Sequence, residues 1–198
     1  MSRERGPEWV VVNTTSQGAM GASRQVMEIH MKPRSMMIVT MLSLAVCSAG
    51  FALGADDQHT LIKSLGSAKV SLQQGLTAAQ RQGQPISGKF EVEDGKFQLS
   101  VYTANKGQFS EVLVDYSTGK VAKSEPITQG GDLDAAKAQS AALTKAKITL
   151  RAAVDKAVKG SQGYRAVSVT PALKDGHAIV SVVLLKGEVL KSVEQSLE

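Results

Sequence analysis

The chain has 198 residues, 42% hydrophobic and 21% charged, a balance that permits a buried core and excludes an intrinsically disordered polypeptide. Of its net charge of +5, residues 55–198 carry +3, as eighteen Lys and Arg scattered among fifteen Asp and Glu, which is not the footprint of a nucleic-acid binder. Aromatic residues make up 4%, and beyond position 55 they are Phe90, Phe97, Tyr102, Phe109, Tyr116 and Tyr164, too thin a set to stack sugars or single-stranded bases.

Residues 1–30 read as a non-native extension, because an exported chain normally opens with its signal and the better start is Met31. No function is assigned there to Trp9 or His30. From Met31 the order is a basic stub, Lys32 and Arg34, an apolar stretch from Met36 to Leu53, and then Gly54-Ala55-Asp56-Asp57. This is the grammar of a secretory signal peptide over residues 31–54, with Ala52 and Gly54 as the small residues before a cut that leaves Ala55 first. The expected location is the periplasm or the outside of the cell. Two alternatives would hold the protein at a membrane: an uncleaved segment, since about 18 apolar residues can just span a bilayer, or a lipid on Cys47, where Val46 is bulkier than a lipoprotein box prefers. Cleavage after Gly54 removes the sole cysteine, so no disulfide is expected in the mature chain.

Gln58 to Leu65 reads as a polar helix that packs shallowly. After it, Ala68-Lys69-Val70-Ser71-Leu72 recurs 78 residues on as Ala146-Lys147-Ile148-Thr149-Leu150, which marks an internal repeat. Ser71 and Thr149 are expected N-caps, since a hydroxyl there accepts from the first-turn N–H groups. Leu72, Leu76 and Ala79, or Leu150, Val154 and Ala157, then share one buried helix face. The helices are expected to end near Gly83 and near Gly160 or Gly163, where glycine allows positive φ.

Strands follow each helix. Phe90 to Glu93 leads into Asp94-Gly95, and Phe97, Leu99 and Val101 alternate beyond it; Asp175-Gly176 repeats the pattern between Val167, Val169 and Ile179 to Leu185. An Asp-Gly pair between alternating runs predicts a tight hairpin, because both turn positions take positive φ. The Asp-Gly pairs lie 81 apart, so the second copy has three extra residues before its turn. A third strand is expected from Phe109 to Asp115 and a fourth from Lys120 to about Glu125, which the second copy does not match; its third runs from Glu188 to Val193 and its last residues are helix or frayed strand. Between the copies, Thr128 to Gly131 is a flexible link and Asp132 to about Thr144 an alanine-rich helix that packs shallowly.

Lys69 to Gln80, a hairpin, and then Glu111-Val112-Leu113-Val114-Asp115-Tyr116-Ser117-Thr118-Gly119-Lys120-Val121 together resemble the PepSY domain, in which a helix packs on an antiparallel sheet and the last hairpin reads Val-Asp-x-x-Thr-Gly-x-Val. The likeness covers residues 66–126 well and the second copy less so. It implies an α+β fold of two such units, each a short helix on an antiparallel β-sheet: residues 55–127, a linker and helix over 128–143, and a degenerate copy over 144–198. It also implies a module found in protease propeptides and small periplasmic proteins, with protease inhibition as a proposed role, and it brings no catalytic residues. On physical grounds Asp115 and Thr118 serve the turn backbone and Gly119 its positive φ.

Enzyme chemistry finds no motif. His59 and His177 have no second ligand at zinc spacing, no Gly-x-Ser-x-Gly is present, Gln129-Gly130-Gly131 lacks the lysine of a phosphate loop, and Asp56-Asp57 and Asp132/Asp134 read as solvated loop acids. No metal, cofactor or nucleic acid is expected. The function expected is non-catalytic binding of a protein partner, a secreted or periplasmic protease foremost, through sheet edges or loop tips. The alternative is an envelope-anchored structural or ligand-sensing protein.

Overall fold

A computed structural model describes residues 55–198 of the chain. The signal segment, Cys47, Ala52 and Gly54 lie outside the described residues, and Ala55 opens the first helix. In chain order come α1 (Ala55–Leu65), α2 (Leu72–Ala79), β1 (Gln84–Glu93), β2 (Lys96–Asn105), β3 (Gln108–Val114), β4 (Val121–Ile127), α3 (Gly130–Leu143), α4 (Leu150–Lys159), β5 (Arg165–Lys174), β6 (His177–Lys186) and β7 (Val189–Ser196). The fold class is α+β: among the described residues, four helices pack with one antiparallel sheet.

Both repeat helices start on a side-chain cap. Ser71 closes a capping box: its hydroxyl accepts from the Gln74 N–H at 3.2 Å and its own N–H donates to Gln74 Oε1 at 2.8 Å. Thr149 accepts from the Ala152 N–H at 3.2 Å, and alanine at that third position leaves the reciprocal bond unmade. The end of α4 falls at Gly160 as expected, whereas the end of α2 and the glycine angles depart from the sequence expectation. α2 stops at Ala79, and Gly83 does not end it; a Cβ there would lie 2.8 Å from the Ala104 carbonyl, so glycine is needed for close approach to β2. α4 stops at Lys159, with Gly160 at φ −75°, while Gly163 takes the positive φ, +77°, inside the following loop.

The two copies share a single seven-stranded sheet, ordered β4-β3-β2-β1-β5-β6-β7. They meet where Gly88 faces Val169 and Lys89 faces Ser168. Every pairing of β1 with β2 recurs between β5 and β6 at an offset of 81, including the irregularity at Ile86 and at Val167. The register of β2 on β3 likewise recurs in β6 on β7, as Tyr102–Glu111 against Val183–Ser192. The three extra residues of the second copy are absorbed before the hairpin: α4 is two residues longer than α2, and the loop after it one residue longer. Backbone contacts repeat too. The N–H groups of Lys69 and Val70 donate to the Tyr116 carbonyl, and those of Lys147 and Ile148 to the Leu197 carbonyl, so Leu197 fills the place of Tyr116. The last residues, expected as helix or frayed strand, are strand through Ser196 with Leu197 fully buried.

Alternation along the strands separates two apolar surfaces. Phe90, Leu99, Val101 and Val112, with Val169, Val180, Val182 and Leu184, form the main core under α2 and α4. Gly75 lets α2 sit close, for a Cβ there would reach 2.5 Å from Leu99 Cδ2. The matching positions of the second copy carry Ala153 and Val180, a larger helix residue against a smaller strand residue. Tyr102, Ala104 and Phe109 point the other way and gather with Ile86, Ile127 and Ala136 of α3 into a smaller cluster. The two polar helices therefore pack more closely than expected: α1 buries Leu61 and Leu65, and α3 buries Ala136 and Ala142. In α3 low apolar content concealed this, because two alanines suffice where a helix fits closely.

Candidate functional site

The turn residues singled out by sequence all sit in turns, but at separate places. Asp94 and Gly95 (φ +49° and +72°) and Asp175 and Gly176 (φ +52° and +80°) occupy equivalent hairpins. Because β5 runs antiparallel to β1, those hairpins lie at opposite ends of the sheet. Asp115 shapes the β3–β4 turn: its Oδ1 accepts from the N–H groups of Ser117 and Thr118 at 2.9 and 2.8 Å and from the Ser117 hydroxyl at 2.6 Å. The Lys120 N–H approaches the Thr118 hydroxyl at 3.4 Å, and Gly119 holds φ +74°. The Ser117 hydroxyl, with the two backbone donors, favours the charged carboxylate and pulls the Asp115 pKa down to about 2. These are the features of a structural turn.

A second cluster was invisible to spacing. Glu91 and Glu93 of β1 and Glu111 of β3 lie part-buried, with one carboxylate oxygen from each within 4.8 Å of the others, close enough together to hold a cation. Protein groups also serve them. The Gln98 amide donates to Glu93 at 2.7 Å and approaches Glu91 at 3.4 Å, and Lys89 Nζ lies 2.6 Å from Glu91 Oε2. Burial, opposed by the Ser100 hydroxyl and reinforced by the two neighbouring glutamates, raises the Glu111 pKa above the ordinary carboxylate value. Burial likewise raises Tyr102, with Glu111 and Glu91 adding to it. The only sequence signal was the alternation of Glu91 and Glu93 on one strand; Glu111 arrives through the register of β2 on β3.

Of the remaining chemistry-bearing residues, His177 is exposed and its Nδ1 lies 3.3 Å from Glu198 Oε2. Asp56 and Asp57 belong to α1, which corrects their assignment to a loop, and Asp132 and Asp134 to α3, in agreement with the helix expected from Asp132 and not with the loop reading of the pair. A cleft of about 220 Å³ runs beside α2 and the segment entering α4, past Leu76, Gln80, Leu143, Ile148 and Arg151; its lining includes no carboxylate or histidine. Among the described residues no helix is long and apolar enough to cross a membrane.

The two outer strands differ. β4 carries Pro126 and a Lys123–Glu125 ion pair at 2.8 Å, both of which discourage further pairing. β7 has no proline, and Val189 at its start is 60% exposed. Register places β7 where β3 stands in the first copy, and β3 has β4 along its outer side; among the described residues β7 is paired on one side only. Near the start of β7, Lys186 and Lys191 both lie over the Tyr164 ring, at 5.8 and 5.7 Å from its centre. No protein-family model, curated protein or solved structure matches the chain.

Proposed function

We propose that residues 55–198 form an exported, non-catalytic binding module of PepSY type that holds an extended segment of a partner protein along the outer edge of β7. The observation that carries this reading is the repeat itself. In the first copy, the position equivalent to β7 receives a further antiparallel strand over six paired residues, Phe109 to Val114. An incoming segment at β7 would be held by backbone hydrogen bonds, with its alternate side chains on the two faces of the sheet. No turnover is needed for such a role. The resemblance to PepSY makes a secreted or periplasmic protease the partner class to test first, and export with cleavage before Ala55 would bring the two together.

The test is to incubate the purified chain with secreted and periplasmic metalloproteases while following their activity and the hydrogen exchange of the chain. Inhibition or stable association accompanied by slowed exchange at β7 amides supports the proposal. Association that protects the α2–α4 surface and leaves β7 exchange unchanged would sink it.

A further inference from the structure

We infer that the β7 edge selects an extended segment with a basic residue, two residues of any kind, an acidic residue and then an apolar one, running antiparallel to β7. This rests on the strand-addition reading above. The register comes from the molecule. The β6–β7 pairing repeats β2–β3 at an offset of 81, so Glu194, Lys191 and Leu190 of β7 hold the places of Leu113, Ser110 and Phe109 in β3. In β4 the residues opposite those three are Lys123, Pro126 and Ile127. A strand in the corresponding position beside β7 therefore sets its first residue against Glu194, its fourth against Lys191 and its fifth against Leu190.

Chemistry then assigns the side chains. Residues directly opposite in an antiparallel pair bring their Cβ atoms within about 5 Å, where opposite charges stabilise and like charges repel. Lys191 Nζ approaches the Ser161 hydroxyl at 3.4 Å and Lys186 Nζ the Gln162 carbonyl at 3.3 Å, and both flank Tyr164. Among the described residues no carboxylate lies within ion-pairing distance of either lysine. The first copy has Asn105 and Ser110 at the equivalent positions, so this concentration of positive charge belongs to the β7 side alone. An acidic residue opposite Lys191 meets its ammonium group, and Lys186, against the same Tyr164 ring, adds to the local positive charge. Glu194 faces the other side of the sheet, half exposed and 3.2 Å from Lys174, and accepts a cation from the outer edge. Leu190 is part-buried against the main core, and an apolar neighbour extends that cover.

Three eight-residue peptides, titrated calorimetrically into the full chain, test this: Thr-Lys-Ser-Val-Glu-Ile-Thr-Val, the same peptide with Lys and Glu exchanged, and the first peptide N-methylated at alternate backbone nitrogens. The matched peptide is expected to bind about tenfold more tightly than the exchanged one, Lys191→Glu to cancel or invert that preference, and N-methylation of the ladder-forming nitrogens to abolish binding. Equal binding of matched and exchanged peptides, with N-methylation still abolishing it, overturns the charge pattern while strand addition stands. Absence of binding, or binding that survives N-methylation of the ladder-forming nitrogens, removes strand addition at β7 together with the pattern. Association of two copies through β7 that Lys191→Glu leaves intact also overturns the inference.

Discussion

Glu111, in the middle of β3, and Asp115, in the turn that follows it, are both carboxylates, yet their surroundings drive them in opposite directions. Asp115 is exposed and ringed by donors, so its charged form is favoured; Glu111 is part-buried beside two other glutamates, so its neutral form is favoured. A carboxyl whose folded pKa is raised binds more protons in the folded state than in the unfolded one. Stability then falls as pH rises from the unfolded value, 4.5, through the folded one. Replacing Glu111 by Gln is expected to flatten that part of the curve and leave the acid limb below pH 4 in place. Urea midpoints measured between pH 4 and pH 7 check it, and an unchanged slope in Glu111→Gln would show that the cluster is not coupled to folding. Asp115 and Gly119 were legible as turn residues because turn chemistry is local. The carboxylate cluster was not, because its members are brought together by strand register.

At the scale of elements, the two repeat helices solve the same packing problem with exchanged sizes, Gly75 on Leu99 in one copy and Ala153 with Val180 in the other. Gly75→Ala is expected to force Leu99 out of its place at a cost of about 1–3 kcal/mol, the usual range for overpacking a tight core. Adding Leu99→Val, which copies the second repeat, should restore at least half of that loss. A double-mutant cycle in urea measures the coupling; additive losses would mean that the helix shifts bodily. The caps and hairpins of these elements could be read from Ser71, Thr149 and the Asp-Gly pairs. The end of α4 near Gly160 could be read as well, but the end of α2 could not, since Gly83 serves its contact with Ala104 and only the assembled sheet reveals that neighbour.

For the whole molecule, the junction of β1 with β5 decides how it unfolds. A single copy of about 60 residues buries too little surface to be robust, whereas two copies on one sheet share a continuous core. Leu184→Ala, in the second copy, is expected to cost about 2–5 kcal/mol. It should lower hydrogen-exchange protection of β2 amides in the first copy by the same free energy as that of β6 amides in the second. Retained protection in β2 alone would show two independent folding units instead. The sequence by itself determined the caps, the tight turns and the α+β class, because each rests on residues near one another in the chain, and the repeat, because it needs only two like segments and no contact between them. Only the tertiary structure decided that the copies join edge to edge, that Glu91, Glu93 and Glu111 meet, and that β7 occupies the place which β3 holds against β4. Those relations depend on backbone pairing between distant segments, and a register is invisible until both strands of the pair are in place.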